Sequence, residues 1–568
     1  NIELLPGTYE FRMEYNNARQ EKTGITINPV ASQQVLFQTV TVTVSIEDCN
    51  NNPLSGGNVQ HYGNNWSSKY SANNQHEMLP VSYDFRMYFN DARKEKTETI
   101  LASNNSQEVR FQATKVNFVY NGTVKYYGTG WGVYTQGMYL LPDTYKFRFD
   151  NYEKQLTVPE QCVFADYNIH IFKTVKADNS ALPNIKIYRN DYSNHYVHVG
   201  TTDANGILFA TTIPGGTWKF KATKDHTQQY LTAGPSLFNF QTSKFITHVK
   251  KHDGTDFPNI NVDYNDYSNH YIDLSPAKTD ASGKTSIELF PGNYKFRASK
   301  DHSNQYKYLD IADPGKTETV VFQTSNFIAH VKHTDGSDFQ GINVDYNDYS
   351  NHYIDLSPST TDASGKTSIE LFPGNYKFKA NKDHTNQYKY LNINTEGTTG
   401  TVVFQTSTFK AHVMKHDGTD FPGIEVEYND YSNHYIDLTP KYTAADGTSS
   451  IELFPGKYTF RAKKNKSTQY KDLEITSSGV TQIVNFQTAL AVGLVKDCDN
   501  NNPVPNVEIE YNDYSNHWID VSPKYTGADG KGSIELFPGT YDLRAKNLKT
   551  YSQKSITLTH PTTTVEFN

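Results

Sequence analysis

Short alternating runs of apolar and polar residues follow one another along most of the chain. In one such run Ile260, Val262 and Tyr264 are apolar, while the intervening Asn261 and Asp263 are polar. Successive side chains of a β-strand point to opposite faces, so this pattern predicts a strand with one buried face. No segment shows a sustained helical period, and parallel folds that need crossover helices are therefore excluded.

The residues from 244 to 324 contain roughly seven such runs, with turn signals every 8 to 12 residues. Asp253-Gly254 and Pro291-Gly292 are typical turn pairs between them. Short strands at this spacing are typical of an antiparallel sandwich of two sheets with little helix. The clearest predicted strands cover residues 245–249, 260–264, 271–274, 286–289, 294–297 and 319–322.

The same block recurs along the chain. A closing Phe occurs at Phe240, Phe322, Phe404, Phe486 and Phe567, at intervals of 82, 82, 82 and 81 residues. A fixed period predicts a linear array of modules, and the lack of Gly/Ser-type linkers predicts a stiff one. The predicted units are a half module at 1–39, whole modules at 40–113, 166–242, 243–324, 325–406, 407–488 and 489–568, and a short module at 114–165.

The first 39 residues correspond to only part of a module. Residues 2–37 align without a gap on residues 287–322, so the strands equivalent to residues 244–286 are missing in front of them. Half a sandwich exposes its apolar inner face and open strand edges. We expect the missing strands to come from residues upstream of Asn1 or from a neighbouring subunit, through β-strand addition as a head-to-tail joint.

Two phrases carry a resemblance to a known class of proteins. The first runs from Glu3 through Leu4-Leu5-Pro6-Gly7 to Met13 and continues in Val35–Thr39, and the second is Thr279–Gly283 followed by Glu288–Tyr294. They resemble the repeats of long bacterial extracellular fibril and surface proteins made of Ig-like (prealbumin-like) modules. The resemblance covers essentially the whole chain. It implies an all-β linear array of Ig-like antiparallel β-sandwiches with a non-catalytic, extracellular role in assembly or adhesion.

Composition excludes several partners and leaves the cysteines open. The net charge of −8 gives no basic surface for nucleic acid, and no run approaches the roughly 20 apolar residues of a membrane helix. Cys49, Cys162 and Cys498 fit no zinc spacing, and we interpret most of them as unpaired, although a bridge between chains stays open. We expect no cofactor.

The phrase Tyr-Asn-Asp-Tyr-Ser-Asn-His recurs in the late modules. Asp266, Asn269 and His270 are weak metal candidates, but Asp, Asn and Ser favour tight turns, and a turn is the preferred interpretation. Ser268 beside His270 does not make a catalytic triad, because a copied hairpin offers no single cleft, so we predict no catalytic residue. We expect the tips to be exposed and to contact a neighbouring fibre strand through Tyr267, Tyr349, Tyr431 and Tyr514.

Two other sets of residues are candidates for covalent chemistry. Glu288 and its equivalents Glu370, Glu452 and Glu535 are candidates for an isopeptide crosslink, but alternation favours a solvent-facing strand residue. Asn-X-Ser/Thr triplets in predicted loops make glycans possible partners. The glycosylation candidates are Asn65, Asn104, Asn121 and Asn465.

The sequence therefore predicts a structural subunit that self-associates into an extracellular fibre. The alternative is a cell-surface adhesin or stalk whose aromatic hairpin tips, Tyr264, Tyr267 and Tyr271, bind carbohydrate or another surface. An enzyme is disfavoured because every candidate motif is copied along the array.

Overall fold

The regular secondary structure of the described residues consists of β-strands. Within the described residues the chain forms 51 strands and no helix, which confirms the predicted all-β class. The computed structural model describes residues 1–29, 32–160, 165–191, 193, 195–265, 270–347, 352–429, 434–512, 517–548 and 550–568.

The N-terminal hairpin is followed by three modules of seven strands each. The hairpin consists of β1 (Gly7–Tyr15) and β2 (Ala18–Ile27). The first module contains β3 (Val40–Glu47), β4 (Asn58–Tyr62), β5 (Tyr70–Ser71), β6 (Gln75–Met78), β7 (Ser82–Phe89), β8 (Ala92–Thr99) and β9 (Ser106–Gln112). The second contains β10 (Thr114–Val119), β11 (Val124–Tyr127), β12 (Trp131–Val133), β13 (Tyr139–Leu140), β14 (Asp143–Phe149), β15 (Tyr152–Val158) and β16 (Ala165–Asn168). The third contains β17 (His170–Val175), β18 (Lys186–Asn190), β19 (Tyr196–Thr201), β20 (Ile207–Ala210), β21 (Trp218–Lys224), β22 (Thr227–Ala233) and β23 (Leu237–Gln241).

Four closely similar modules follow. The fourth contains β24 (Ser243–Lys250), β25 (Asn261–Asn265), β26 (Tyr271–Lys278), β27 (Lys284–Leu289), β28 (Gly292–Lys300), β29 (Ser303–Ile311) and β30 (Thr317–Gln323). The fifth contains β31 (Ser325–Lys332), β32 (Asn343–Asn347), β33 (Tyr353–Thr360), β34 (Lys366–Leu371), β35 (Gly374–Lys382), β36 (Thr385–Ile393) and β37 (Thr399–Gln405). The sixth contains β38 (Ser407–Met414), β39 (Glu425–Asn429), β40 (Tyr435–Tyr442), β41 (Thr448–Leu453), β42 (Gly456–Lys464), β43 (Ser467–Ile475) and β44 (Thr481–Gln487). The seventh contains β45 (Ala489–Val495), β46 (Glu508–Asn512), β47 (Trp518–Tyr525), β48 (Lys531–Leu536), β49 (Gly539–Asn547), β50 (Thr550–Leu558) and β51 (Thr562–Phe567).

Each module is a sandwich of a three-stranded and a four-stranded sheet. In the fourth module the orders are β27-β24-β30 and β26-β25-β28-β29, and the other six modules repeat them. The core lies between the sheets, where Phe245, Val262, Phe296 and Phe322 are fully buried. The alternation that predicts the strands therefore also assigns the buried face.

The pairing differs from the predicted antiparallel sheets in one ladder of every module. The first strand pairs antiparallel with the fourth but parallel with the seventh, as in the pairs Phe245–Glu318 and Val249–Phe322. A hairpin would force an antiparallel pair. The seventh strand instead follows a strand of the opposite sheet. The chain therefore crosses the sandwich before the seventh strand pairs with the first, and the two strands run in the same direction.

One module boundary in the structure differs from the predicted one. Residues 165 and 166 both belong to β16, which pairs with β10 of the second module, so that module extends past the predicted end at residue 165. In the first 39 residues only the hairpin β1–β2 forms, and the described residues 32–39 carry no strand. Their counterparts in the fourth module belong to β30, whose parallel partner is the first strand.

Candidate functional site

Each of the last four modules inserts an aromatic ring into the module before it. The ring lies in the turn between the fourth and fifth strands. Phe372 of the fifth module is fully buried in the hydrophobic core of the fourth module, where its ring meets Phe322 edge-on at a centroid distance of 6.4 Å. The equivalent rings are Phe290, Phe454 and Phe537, each in the core of the preceding module.

The preceding module receives this ring beside the tight turn between its fifth and sixth strands. Asp301 and His302 in that turn have φ values of 43° and 60°, a left-handed conformation that Asn, Asp and His adopt more readily than most residues. The amide of Phe372 donates to Ser303 Oγ at 3.2 Å, and the hydroxyl of Tyr346 donates to the carbonyl of Asp301. Two hydrogen bonds therefore cross the joint at this turn.

The tyrosine of the second strand is part of the joint and not an exposed binding tip. Tyr264 is fully buried, and its hydroxyl donates to the carbonyl of Asp225 in the preceding module. Tyr428 makes the same bond to Asp383 at 2.6 Å. The predicted role of Tyr264 in gripping a sugar is therefore wrong, because the ring is buried in the core of its own module against Tyr294 and Phe296. The alternation predicts this burial but cannot indicate that the hydroxyl reaches the preceding module.

Removing the hydroxyl of Tyr428 should weaken one joint selectively. We expect Tyr428→Phe to lower the stability of the joint by about 1 kcal/mol, the usual net value of one hydrogen bond. The measurement is hydrogen exchange in the turn around Asp383, which should become several-fold faster, in line with the roughly tenfold change that 1.4 kcal/mol produces. Tyr390→Phe is the matched control because Tyr390 is 67% exposed. Equal exchange in both variants would contradict this role.

The glutamate before the inserted phenylalanine also crosses the joint. Glu288 accepts the backbone N–H of Ala177 at 3.1 Å and the hydroxyl of Thr242, both in the third module. The prediction of a solvent-facing strand residue is therefore wrong. Alternation correctly predicts that this side chain points away from the core of its own module. In the array, however, the adjacent module covers this side of the strand, which water would cover in an isolated module.

In the next three joints the glutamate also meets an imidazole. Glu452 accepts the N–H of Thr334 at 3.2 Å, and one of its oxygens lies 2.6 Å from Nδ1 of His333. Burial opposes ionisation of Glu452, but the bonds from His333 and Thr334 outweigh it, so the pKa of Glu452 lies below its usual value. The other pairs are His252–Glu370 and His416–Glu535.

The N-terminal modules make related joints with different residues. The hydroxyl of Tyr126 donates to the carbonyl of Asn90 at 2.7 Å. A Cβ at Gly128 would lie 1.9 Å from the carbonyl oxygen of Asp91, so only glycine allows the preceding turn to approach this closely. The Gly128 hairpin tip therefore has a function in the joint.

A second recurring feature lies on the outer face of the four-stranded sheet. Arg297 stacks on Tyr271 with its guanidinium carbon 4.1 Å from the ring centroid, and Lys295 lies 4.6 Å from the ring of Tyr306. Such contacts hold a cation over an aromatic face. Tyr308 beside them is 67% exposed. The matching pairs are Arg86–Trp66, Arg148–Trp131, Lys221–Tyr196, Lys379–Tyr353, Arg461–Tyr435 and Arg544–Trp518.

The same sheets contain buried ion pairs. Asp263 is only 2% exposed and accepts three hydrogen bonds from Arg297, at 3.0, 3.2 and 2.5 Å. Burial raises the pKa of Asp263 although Arg297 opposes the shift. The corresponding pairs are Asp345–Lys379, Glu427–Arg461 and Glu510–Arg544.

Two groups of three carboxylates in the described part of the chain have the spacing of a cation site. In one of them, Glu425, Glu427 and Asp437 lie within 4.8 Å of one another. Lys441 bonds two of these carboxylates, at 2.9 and 3.2 Å, and Lys463 bonds the third at 2.6 Å. Side-chain cations therefore already neutralise this group. The other group is Glu508, Glu510 and Asp520.

Several predicted site residues lie outside the described residues or are not brought together. The predicted residues outside the described ranges are Asp266, Asn269, Tyr267, Tyr349, Tyr431, Tyr514 and Cys162. His270, the first described residue after 266–269, is exposed. Cys49 is half-buried, with Sγ 3.7 Å from the carbonyl of Ala113, whereas Cys498 is exposed.

The glycosylation candidates occupy different surroundings. Asn65 and Asn121 are exposed, and Asn104 is partly buried. Asn465 is exposed, but its carbonyl accepts the hydroxyl of Tyr511 at a joint. Glycosylation at these positions stays a prediction.

The sequence matches no known family model and no curated protein. Solved structures to which it is similar include the TIE protein of Bacillus anthracis, at 10% identity and a TM-score of 0.15, covering 66% of this chain and 74% of that one. Others are the minor pilin GBS52 of Streptococcus agalactiae (15%, TM-score 0.19, 28% and 94%) and the major pilin subunit BcpA of Bacillus cereus (10%, TM-score 0.15, 58% and 99%). At these TM-scores the likeness carries no argument about function. Among the described residues no helix is long and apolar enough to cross a membrane.

Proposed function

We propose that the chain is a structural subunit of an extracellular fibre, in which the tandem modules form a stiff rod without catalytic activity. The observation that carries the proposal is the insertion of a phenylalanine such as Phe372 into the core of the preceding module. Bending such a joint would draw an aromatic ring out of its core, and the hydrophobic cost of doing so favours one fixed geometry.

The backbone at the joints supports the same proposal. Only Thr324 separates β30 from β31, and it is fully buried. Its N–H donates to the carbonyl of Lys250 at 3.0 Å, so even the connecting residue is held by the preceding module. A connection of this kind has none of the freedom of a flexible linker.

The segments that flank the N-terminal hairpin β1–β2 are the proposed head-to-tail contact within the fibre. Ile2 and Leu5 are 74% and 80% exposed, and Leu36 is 71% exposed. Apolar positions and open strand edges of this kind are suited to receive an added strand. In the proposed fibre, a strand of another subunit pairs with residues 32–39 as β24 pairs with β30 in the fourth module.

Electron microscopy and small-angle X-ray scattering of the whole chain test this function. We expect straight particles of uniform length and, at higher concentration, filaments. The variant Phe372→Ser with Phe454→Ser should bend at two defined places, whereas Tyr308→Ser with Tyr390→Ser should stay straight. A wild-type chain that scatters as flexibly linked beads would overturn the proposal.

The outer aromatic faces favour a second candidate, a cell-surface adhesin or stalk that binds carbohydrate. Exposed tyrosine and stacked arginine are common at binding hot spots. Straight particles that do not form filaments but are retained on a polysaccharide matrix would favour this candidate. Retention should then fall in the variant Tyr308→Ser with Tyr390→Ser.

A further inference from the structure

Three of the last four joints contain a histidine–glutamate pair, and the remaining one does not. In the joint between the third and fourth modules, Ala177 stands at the turn position that His252 and His416 occupy in later modules. There Glu288 receives a backbone N–H and a hydroxyl from the preceding module. The chain therefore contains its own comparison between a joint whose glutamate has no imidazole partner and three joints whose glutamate has one.

The imidazole reaches the carboxylate from two different positions of the turn. His252 and His416 each offer both their backbone N–H and Nδ1 to the glutamate. In the fifth module Thr334 occupies that position and supplies the N–H, while His333 one residue earlier supplies Nδ1. Two arrangements of the turn thus produce the same contact between imidazole and carboxylate.

The pairs are shielded from water without being sealed. The side chains of His333 and Glu452 are 34% and 28% exposed, and the ring of His333 stacks on Phe339 at 3.7 Å. The charged groups around the three histidines belong to their own turns and to the elements packed against them. Those around His252 are Lys251, Asp253, Lys300 and Glu370. Those around His333 are Asp335, Lys382 and Glu452. Those around His416 are Lys415, Asp417, Lys464, Glu535 and the ring of His560.

We propose that protonation of His252, His333 and His416 tightens three joints of the array, so that cohesion between modules is controlled by pH. The inference rests on the proposed function, because it concerns the regulation of the same joints. A neutral imidazole can donate one hydrogen bond to the glutamate, and a protonated one adds an ion pair. For pairs whose side chains are 16% to 34% exposed, we expect the ion pair to strengthen the joint roughly two- to fivefold.

The direction of the effect follows from the two kinds of group. An imidazolium attracts the facing carboxylate more strongly than a neutral imidazole does, so this contribution is lost as a rising pH removes the imidazolium proton. The carboxylate contribution is present above its ordinary pKa and is lost as the pH falls through the lowered pKa of Glu452. The joints should therefore be tighter in mildly acidic solution than in mildly alkaline solution.

Hydrogen exchange of the whole chain at pH 5.5 and 8.0 tests the proposal, after correction for intrinsic exchange rates. We expect the amides of Phe372, Phe454 and Phe537 to be roughly two- to fivefold better protected at pH 5.5. The amide of Phe290 should show equal protection at both pH values. The triple variant His252→Gln, His333→Gln, His416→Gln keeps a neutral donor and should lose the pH dependence. Ala177→His should confer it on Phe290.

The outcomes separate this inference from the function on which it rests. Protection that changes equally at all four phenylalanines, or that stays pH-dependent in the triple glutamine variant, overturns the pH control. Protection that is high but independent of pH also overturns the pH control, but it does not contradict the proposed rigid rod. Rapid exchange of all four amides at both pH values would show that the joints do not form, and would overturn the proposed function itself.

Discussion

Truncating Phe372 should unfold a module that does not contain the substitution. We expect Phe372→Ala to lower the free energy of unfolding of the fourth module by about 3 to 5 kcal/mol, as for other buried phenylalanines. The fifth module should lose much less, because Phe372 belongs to the core of the fourth. Pulse proteolysis in urea with peptide mapping would assign the loss to its module.

Two control variants make this result specific. Tyr390→Ala removes a ring of similar size from an exposed position of the same module and should change stability by less than about 0.5 kcal/mol. Phe378→Ala removes a ring from the core of the fifth module itself and should destabilise that module. If Phe372→Ala and Phe378→Ala both unfolded the fifth module first, the exchange of rings between modules would be refuted.

Removing Arg297 should also strongly destabilise the fourth module. Asp263 would remain in a site that is 2% exposed without its ionic partner, and breaking such a pair typically costs about 3 to 5 kcal/mol. We expect Arg297→Met to lower the stability of the fourth module by about 3 kcal/mol at pH 7, since Arg297 itself is partly exposed. Urea denaturation of the whole chain, followed module by module, is the measurement.

The pH dependence of this loss gives a further check. Burial already raises the pKa of Asp263, and loss of the facing cation should raise it further. A raised carboxyl pKa contributes stability at low pH that is lost as the pH rises through it, so the damage should shrink from pH 7 to pH 4. Lys295→Met on the same strand is the control and should show little change at either pH. A loss in Arg297→Met that is equal at both pH values would argue against a stranded carboxylate.

The repeating pattern was sufficient to predict the class of fold and most strands. Alternation at residues 260–264 and 319–322 correctly predicts β25 and β30, because each strand has one face in the core. The same pattern predicts no strand at Ser303–Ile311, where the structure has β29. That segment is an edge strand on which polar residues alternate with tyrosines, and Tyr306 and Tyr308 are exposed. It therefore lacks a clear apolar face.

The joints could not be predicted from one module at a time. The pattern around Glu288 indicates only that this side chain leaves the core of its own module, and the pattern around Tyr264 indicates only burial. Their partners lie 39 residues or more away in another module, as the bonds from Tyr264 to Asp225 and from Glu288 to Ala177 illustrate. The recurrence of Leu-Phe-Pro-Gly at a turn, where a large apolar residue is otherwise unexpected, was the available signal.

The parallel pairing of the first and last strands determines how each module responds to tension. The chain enters the fourth module at the start of β24 and leaves it at the end of β30, and residues 244–250 pair in register with residues 317–323. Pulling on the two ends therefore slides the strands past each other along their length. All the hydrogen bonds between them resist together, whereas a hairpin pulled at its open end loses them one at a time. Each module is thus loaded in shear, the direction in which a β-ladder is strongest.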